Sequence, residues 1–234
     1  MLTAFPERLS EEAEKLVTRL GVEVKKNVFV TDVDADGVTY KSGDATERLA
    51  AKTVLWAGGV TTNTFGRTLA VRAKAETDRN GRIKVTPHLT IPNYPDIFVV
   101  GDLAAAFDEK GKSLPGVAQV AMQGGVYAAK SIRARIAGKP ELPRFHYFNK
   151  GDMAVIGRAA AIANIFGFGV SGLLAWLIWL FIHLMYIVEF QSRVVVFIQW
   201  GFEYLTFSRG ARLITGVDAE DALVNRPPQT NAKS

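Results

Sequence analysis

Nineteen consecutive residues, Val170 to Val188, pass without a charge, and their polar side chains are Ser171 and His183. No other stretch restricts the chain as much. A run of this length fits a helix buried in a protein core, a helix lying in a bilayer surface, or a span across the bilayer. It shows no polar stripe at helical spacing, which favours burial or a span over lying flat. A second apolar stretch, Val194 to Phe207, follows Glu189 and Arg193, and Arg209 and Arg212 come next. Trp176, Trp179, Trp200 and Tyr204 are available as interface anchors.

Charge placement argues against a simple crossing. Arg144, Lys150 and Arg158 precede the first run, and Arg193, Arg209 and Arg212 follow it, so the flanking cations give no preferred side. Helices that dip into one leaflet from a single face resolve this. Monotopic attachment is therefore the favoured expectation, with a true span kept as the alternative on length alone.

With 234 residues, 48% of them apolar, the chain can bury one good core, or a modest core plus a membrane-seeking segment. The cysteine count of zero excludes disulfides, thiolate metal sites and thiol nucleophiles, so any redox chemistry must run through a bound cofactor. The net charge of +5 is spread along the chain, not gathered into a basic run, and no nucleic-acid partner is expected. Met1–Pro6 lacks a basic segment followed by an apolar one, so no signal peptide is read.

Three zones precede the tail. In residues 1–56 an acidic-start helix after Ser10 (Glu11, Glu12, Glu14) closes at Gly21. Short β-branched strands are expected at Val22–Val24, Val28–Val33, Val38–Tyr40 and Thr53–Trp56, with hairpin turns at Asp36-Gly37 and Ser42-Gly43. A complete nucleotide domain opens with a strand, a glycine-rich turn and a helix; this zone has none and is expected to begin mid-domain. Residues 57–143 hold two further strands and one long helix. Strand Ile97–Val100 ends in Gly101-Asp102, and the helix runs from about Val117 to Ala137, stopping before Gly138 and Pro140. Residues 144–215 carry the apolar runs, and 216–234, with Pro227-Pro228, read as a flexible tail.

Ligands of open α/β sheets sit beyond the carboxyl ends of strands, so a strand delivering Gly101-Asp102 is a candidate site. The glycine admits a ligand to the backbone, and the carboxylate accepts hydrogen bonds from ribityl or ribose hydroxyls. The alternative is that Asp102 caps the following turn. In Leu114-Pro-Gly-Val-Ala-Gln-Val-Ala-Met-Gln-Gly-Gly, Gln119 and Gln123 share a helix face, and Ala118, Ala121, Gly124 and Gly125 keep the helix thin enough for a flat ring to approach. The same small residues equally serve close packing on a sheet.

Four series of residues carry a family resemblance. Thr77-Asp-Arg-Asn-Gly-Arg-Ile-Lys-Val-Thr with Pro95-Asp-Ile-Phe-Val-Val-Gly-Asp-Leu resembles the closing flavin motif of the pyridine nucleotide–disulfide oxidoreductases, and Val54-Leu-Trp-Ala-Gly-Gly resembles their return from the NADH domain to the FAD domain. Ala118-Gln-Val-Ala-Met-Gln123 is similar to the quinone-site signature of type II NADH dehydrogenases, and Lys150-Gly-Asp-Met-Ala-Val-Ile-Gly-Arg158 to an element of that family near flavin and quinone. The resemblance covers about residues 3–215. It implies an α/β chain, an incomplete two-dinucleotide-binding-domain flavoprotein fold with a C-terminal membrane-associated α-helical region. Its implied segments are a remnant of the NADH-binding domain (1–56), the end of the FAD-binding domain (57–143) and the membrane anchor (144–215).

It further implies electron transfer from NADH through FAD to a membrane quinone, without proton pumping, at the cytoplasmic face of a bacterial inner membrane. Gly101, Asp102, Ala118, Gln119 and Lys150 would contact FAD; Gln119, Gln123 and Lys150 would border the quinone; no side chain is given a covalent or acid–base role. A bilayer is the expected partner, and a homodimer is allowed for. Both glycine-rich fingerprints of the family are missing from this sequence, so the chain by itself is expected to bind FAD and NADH poorly. A sulfide:quinone oxidoreductase would need cysteines and is set aside. The rival from another class is a non-catalytic anchoring or oligomerising module.

Two further features are read as structural. Gly167-Phe-Gly-Val-Ser-Gly172 fits G-x-G-x-x-G, with Glu189 about 20 residues on, but no strand is expected before it, and the glycines are taken to open a membrane helix. His183 stands alone, without a second ligand at helical spacing, and no metal site is expected.

Overall fold

The computed structural model describes residues 2, 5–59, 61–187 and 189–206. Arg209, Arg212 and the tail 216–234 lie outside the described residues. The chain divides into two compact units, Met1–Trp176 and Leu177–Ser234.

Helix α1 is Glu7–Arg19, starting three residues before Ser10. Pro6, with φ fixed near the helical value, precedes Glu7, so proline and first-turn charge set this end. Ser10 is not a cap: its hydroxyl accepts from Leu2 N–H and donates to Leu2 C=O, both at 2.9 Å. The other end is as expected, closed by Gly21 at φ +83.

Strands β1 (Val28–Asp34), β2 (Gly37–Ser42) and β3 (Ala45–Ala50) form an antiparallel meander with β2 at its centre. The turn residues fall at 35–36 and 43–44, one position from the expected pairs. Gly37 has to be glycine, since a Cβ there would sit 2.2 Å from Leu49 C=O on β3. Val22–Val24 and Thr53–Trp56 are not strands. β-branched composition favours an extended chain, but a strand requires a ladder partner, and neither segment pairs with one among the described residues. Leu55 and Trp56 are accordingly exposed, at 87% and 70%.

The middle of the chain holds more elements than its sequence announces. Helix α2 (Thr64–Ala73) was not expected; Asn63 caps it by accepting from Gly66 N–H at 2.9 Å, and Lys74 ends it in the left-handed region. Four short strands follow: β4 (Ile83–Lys84), β5 (Thr90–Ile91), β6 (Tyr94–Phe98) and β7 (Ala104–Ala105). β4 pairs parallel with β7 and β5 antiparallel with β6. Ala70, Ile83, Ile91, Val99 and Ala104 form the core that joins α2 to these strands. Helix α3 (Ala118–Ile136) matches its expected limits. Gly138 N–H bonds Arg135 C=O and Lys139 N–H bonds Ala134 C=O, a Schellman stop that spends the last carbonyls.

The region after residue 150 is not wholly helical. Strands β8 (Asp152–Gly157), β9 (Ala160–Ile165) and β10 (Phe168–Ser171) form an antiparallel sheet with β9 central. Alternation along β9 sends Ile162 to Leu9 and Ala13 of α1, and sends Ala161 and Ala163 to Ala175 and Trp176. All of these β9 residues and Ala13 are fully buried. The first residues of the apolar run are therefore strand, and helix α4 is only Gly172–Tyr186. At about 1.5 Å per residue it is roughly 22 Å long, short of the roughly 30 Å hydrocarbon thickness. Among the described residues no helix is long and apolar enough to cross a membrane, which removes the support that length gave to a span. Helix α5 (Phe190–Thr206) begins earlier than the apolar stretch, after Arg193 Nε donates to Ile187 C=O at 2.7 Å. Trp179 stacks on Trp200 at 5.7 Å between ring centroids.

A strand does precede the G-x-G-x-x-G pattern, contrary to expectation: β9 ends at Ile165 and turns back into β10. The pattern is a hairpin and not a strand–turn–helix phosphate site. Gly167 makes the turn at φ +88, and Gly172 opens α4 at φ +74. Gly169 lies under α1, where a Cβ would meet Arg8 Nη2 at 2.6 Å and Leu9 Cδ1 at 3.2 Å.

Candidate functional site

β6 delivers the chain to Val100, and Gly101–Leu103 then form one 3-10 turn. Gly101 takes φ +67, which favours glycine, and faces Ala121 of α3. A Cβ on Gly124, one turn on, would press on Leu89 at 3.3 Å and meet Val100 at 3.5 Å. The small residues of α3 thus serve close packing under the strand end. Gly125, beside them, meets nothing within 4 Å.

Asp102 is not the cap of its turn. The capping position is Val100, without a side-chain hydrogen bond, and among the described residues no group bonds the exposed Asp102 carboxylate. Arg82, Gly101, Asp102, Gly116, Val117 and Val120 line one cleft. Gly116 lies beside the carboxylate, where a Cβ would come to 3.7 Å from Asp102 Oδ1. Val117 caps α3 without a side-chain acceptor, which leaves first-turn N–H groups directed at the cleft's end. Ala118, the first residue of the helix, is exposed. Arg82 is held by Asp78 at 2.7 Å. Burial works to raise the Asp78 carboxyl, but bonds from the Arg82 side chain and from the Arg82 and Asn80 N–H groups outweigh it, and the net shift is downward. A cleft offering an unbonded carboxylate, open N–H groups and glycine walls suits a polyhydroxylated, phosphorylated ligand such as a flavin nucleotide.

The helix motif and the Lys150 segment meet in space. Gln123 Nε2 donates to Phe148 C=O at 2.9 Å, and its Oε1 accepts from Phe148 N–H at 3.0 Å. One helical turn earlier, Gln119 Nε2 donates to Gly151 C=O at 2.9 Å, and its Oε1 accepts from Lys150 N–H at 3.2 Å. Asn149 Oδ1 accepts from Gly151 N–H at 2.8 Å. Gly151 adopts φ +116, and a Cβ there would lie 2.3 Å from Asn164 C=O. Lys150 itself is exposed.

Asn149, Arg82 and Gly116 were not singled out from sequence, nor was a brace along the far end of α3. There Tyr127 Oη donates to Pro143 C=O at 2.9 Å and so accepts from His88 Nδ1 at 2.9 Å. Burial pushes the Tyr127 phenol above its usual range and keeps it protonated for that bond. Its ring meets Phe145 edge-on at 5.5 Å, fixing the strap that leads to Phe148. Spacing gives no signal for a His–Tyr contact 39 residues apart. His183 Nδ1 bonds Trp179 C=O at 2.8 Å, a local helical contact, and among the described residues no three His, Asp or Glu gather as a metal set.

Comparison with known proteins follows the same division. Residues 1–125 match the pyridine nucleotide-disulphide oxidoreductase family, and residues 149–209 match the NDH2 C-terminal domain. The type II NADH:quinone oxidoreductase Ndh of Mycobacterium tuberculosis is 41% identical over 215 residues, covering 91% of this chain and 45% of that protein. Demethylphylloquinone reductase NdbB of Synechocystis is 28% identical, covering 86% of this chain and 48% of its own length. The structure of NDH2 from Plasmodium falciparum in complex with NADH superposes with a TM-score of 0.72 at 18% identity, over 85% of this chain and 55% of that one, a likeness of fold. The chain spans about half the length of the curated relatives it matches. It belongs to the pyridine nucleotide-disulphide oxidoreductase family, and its residues 149–209 match the C-terminal domain of NDH2.

Proposed function

We propose that this chain supplies the flavin-facing and quinone-facing part of an FAD-dependent enzyme that passes electrons from NADH to a membrane quinone without pumping protons. The observation that carries the reading is the junction of the two matched regions: the NDH2 C-terminal domain match starts at residue 149, inside the segment that Gln119 and Gln123 of the family-matched α3 hold.

In this reading FAD, when bound, accepts hydride equivalents and passes them on as electrons. The chain's own residues hold and orient. Asp102 accepts hydrogen bonds from ribityl hydroxyls, Gly101 and Gly116 allow the ligand against the backbone, and Ala118 and Gln119 carry open helix N–H groups toward the ring edge. Gln123 and Lys150 form the quinone side, with the Lys150 cation favouring negative charge that develops there. Residues 1–56 and 57–143 are the ends of the NADH and FAD domains, and 144–215 the membrane-facing part. Relatives named for quinone chemistry support the substrate class. Leu174, Phe181, Phe197, Ile198 and Phe202, each more than half exposed on α4 and α5, support attachment to one face of a bilayer, which this reading takes to be the cytoplasmic one.

The test is NADH oxidation by a short-chain benzoquinone, using the natural open reading frame that contains these 234 residues. Asp102→Ala is expected to lower the retained flavin and the turnover together, and Lys150→Ala to lower turnover with flavin retained. Full activity in both variants refutes the assignment.

A further inference from the structure

We infer that Gln119 and Gln123 form a register clamp, two side-chain amides that read the main chain of residues 148–151 and fix which residue stands opposite each turn of α3. They are positioning residues for Phe148 and Lys150, and act on the quinone site through that segment. The inference rests on the reading of 148–151 as the quinone-facing segment.

The argument begins with spacing. Residues four apart on a helix are separated by about 6.0 Å along its axis. An extended chain repeats its backbone orientation every two residues, about 6.6 Å. The two periods are nearly commensurate, so amides at positions 119 and 123 can engage the N–H groups of Lys150 and Phe148, two residues apart and antiparallel to the helix. Each amide also donates to a carbonyl, that of Gly151 or of Phe148. Each thus uses its oxygen and one N–H on backbone and behaves as a short piece of neighbouring strand.

Two features stop the register from slipping. Asn149 Oδ1 takes the Gly151 N–H, which closes the segment's end. Gly151 sits at φ +116 against Asn164 C=O, where only a residue without Cβ fits, so moving any other residue into this place would force a clash. A slip by one residue would exchange the faces that Asn149 and Lys150 present, because side chains alternate along an extended chain. The clamp therefore selects Lys150 and not Asn149 for its position.

Amide exchange of the full chain, without cofactor, tests this directly. Gln123→Leu keeps the volume and removes both bonds, and is expected to speed exchange of Phe148 N–H by about 5- to 30-fold, the population change of one or two lost hydrogen bonds. Gln119→Leu should do the same at Lys150. Gln123→Glu keeps the acceptor for Phe148 N–H but loses the donor to Phe148 C=O, and is expected to speed Phe148 exchange less than Gln123→Leu does. Exchange at Ala163, in the sheet centre, serves as the control for folding. Unchanged exchange at 148 and 150 in both leucine variants, with Ala163 protected, overturns the clamp; so does loss of Phe148 protection in Gln123→Glu equal to that in Gln123→Leu. The quinone reading is scored separately in the complete reading frame. A clamp that opens in Gln123→Leu with an unchanged quinone KM leaves the clamp standing and removes its link to the quinone.

Discussion

Replacing Gly169 with alanine separates two meanings of the same glycine. The middle glycine of a phosphate-binding turn exists for a ligand; Gly169 of β10 exists for α1. An added Cβ would meet Arg8 Nη2 at 2.6 Å and Leu9 Cδ1 and Cγ at 3.2 and 3.3 Å. Arg8 can swing away, giving up its 2.9 Å bond to Gly169 C=O, which is exposed and contributes about 0.5–1 kcal/mol. Leu9 cannot, because it is 1% exposed and packed against Ala13 and Ile162. Overpacking of this kind costs about 1–3 kcal/mol. Restricting the unfolded chain returns about 0.4–1 kcal/mol. Gly169→Ala should therefore lose about 1–3 kcal/mol in urea unfolding followed by circular dichroism, or about 2–4 °C of Tm for each kcal/mol in a chain this long. Leu9→Ala alone should lose about 2–5 kcal/mol and leave a void beneath position 169. In that background Gly169→Ala should cost under about 0.5 kcal/mol, a coupling well above the error of additivity. Equal costs in the two backgrounds, or no cost in either, would refute the packing account.

Three further outcomes follow from backbone geometry and from one surface ion pair. Gly151→Ala combines a left-handed φ with a Cβ 2.3 Å from Asn164 C=O, and should lose roughly 2–6 kcal/mol in thermal unfolding, whereas Gly125→Ala, in open space on α3, should gain about 0.5–1 kcal/mol; a tolerated Gly151→Ala contradicts the close approach. The Arg48 guanidinium, with the Asp36 N–H, holds the Asp34 carboxyl down at about 2, so this group's contribution is complete above the unfolded carboxylate value of about 3.9 and is lost as pH falls toward 2. Asp34→Asn should flatten that part of the acid limb of the urea midpoint between pH 5 and 2.5, and an acid limb of unchanged steepness counts against the pairing.

What could be read in advance was what is local. The limits of α3 follow from Val117 and from Gly138-Lys-Pro, signals within a few residues of each end, and they proved accurate. Gln119 and Gln123 could be placed on one face because helical periodicity alone decides it. Their partners could not, since Phe148 and Gly151 lie 25 and 32 residues away and no pattern couples them. The end of β10 was lost in the apolar run because a short strand and the start of a helix are equally apolar, and only the partner strand, β9, separates the two. β9 itself hides among alanines that have small side chains because α4 presses on them. Asn63, a good helix cap, went unread because Gly66 and β-branched neighbours made α2 a weak helix by composition. The short β4 and β7 exist only through each other.

The contact between α1 and the sheet β8–β10 also sets a timetable. Arg8 and Gly169 stand 161 residues apart. At roughly 5–20 residues per second, a ribosome needs about 8–32 seconds to make the one after the other. For that interval the Leu9 and Ala13 face of α1 is synthesised, amphipathic and uncovered. The burial of Leu9 and Ala13 against Ile162 therefore waits until β9 has been made.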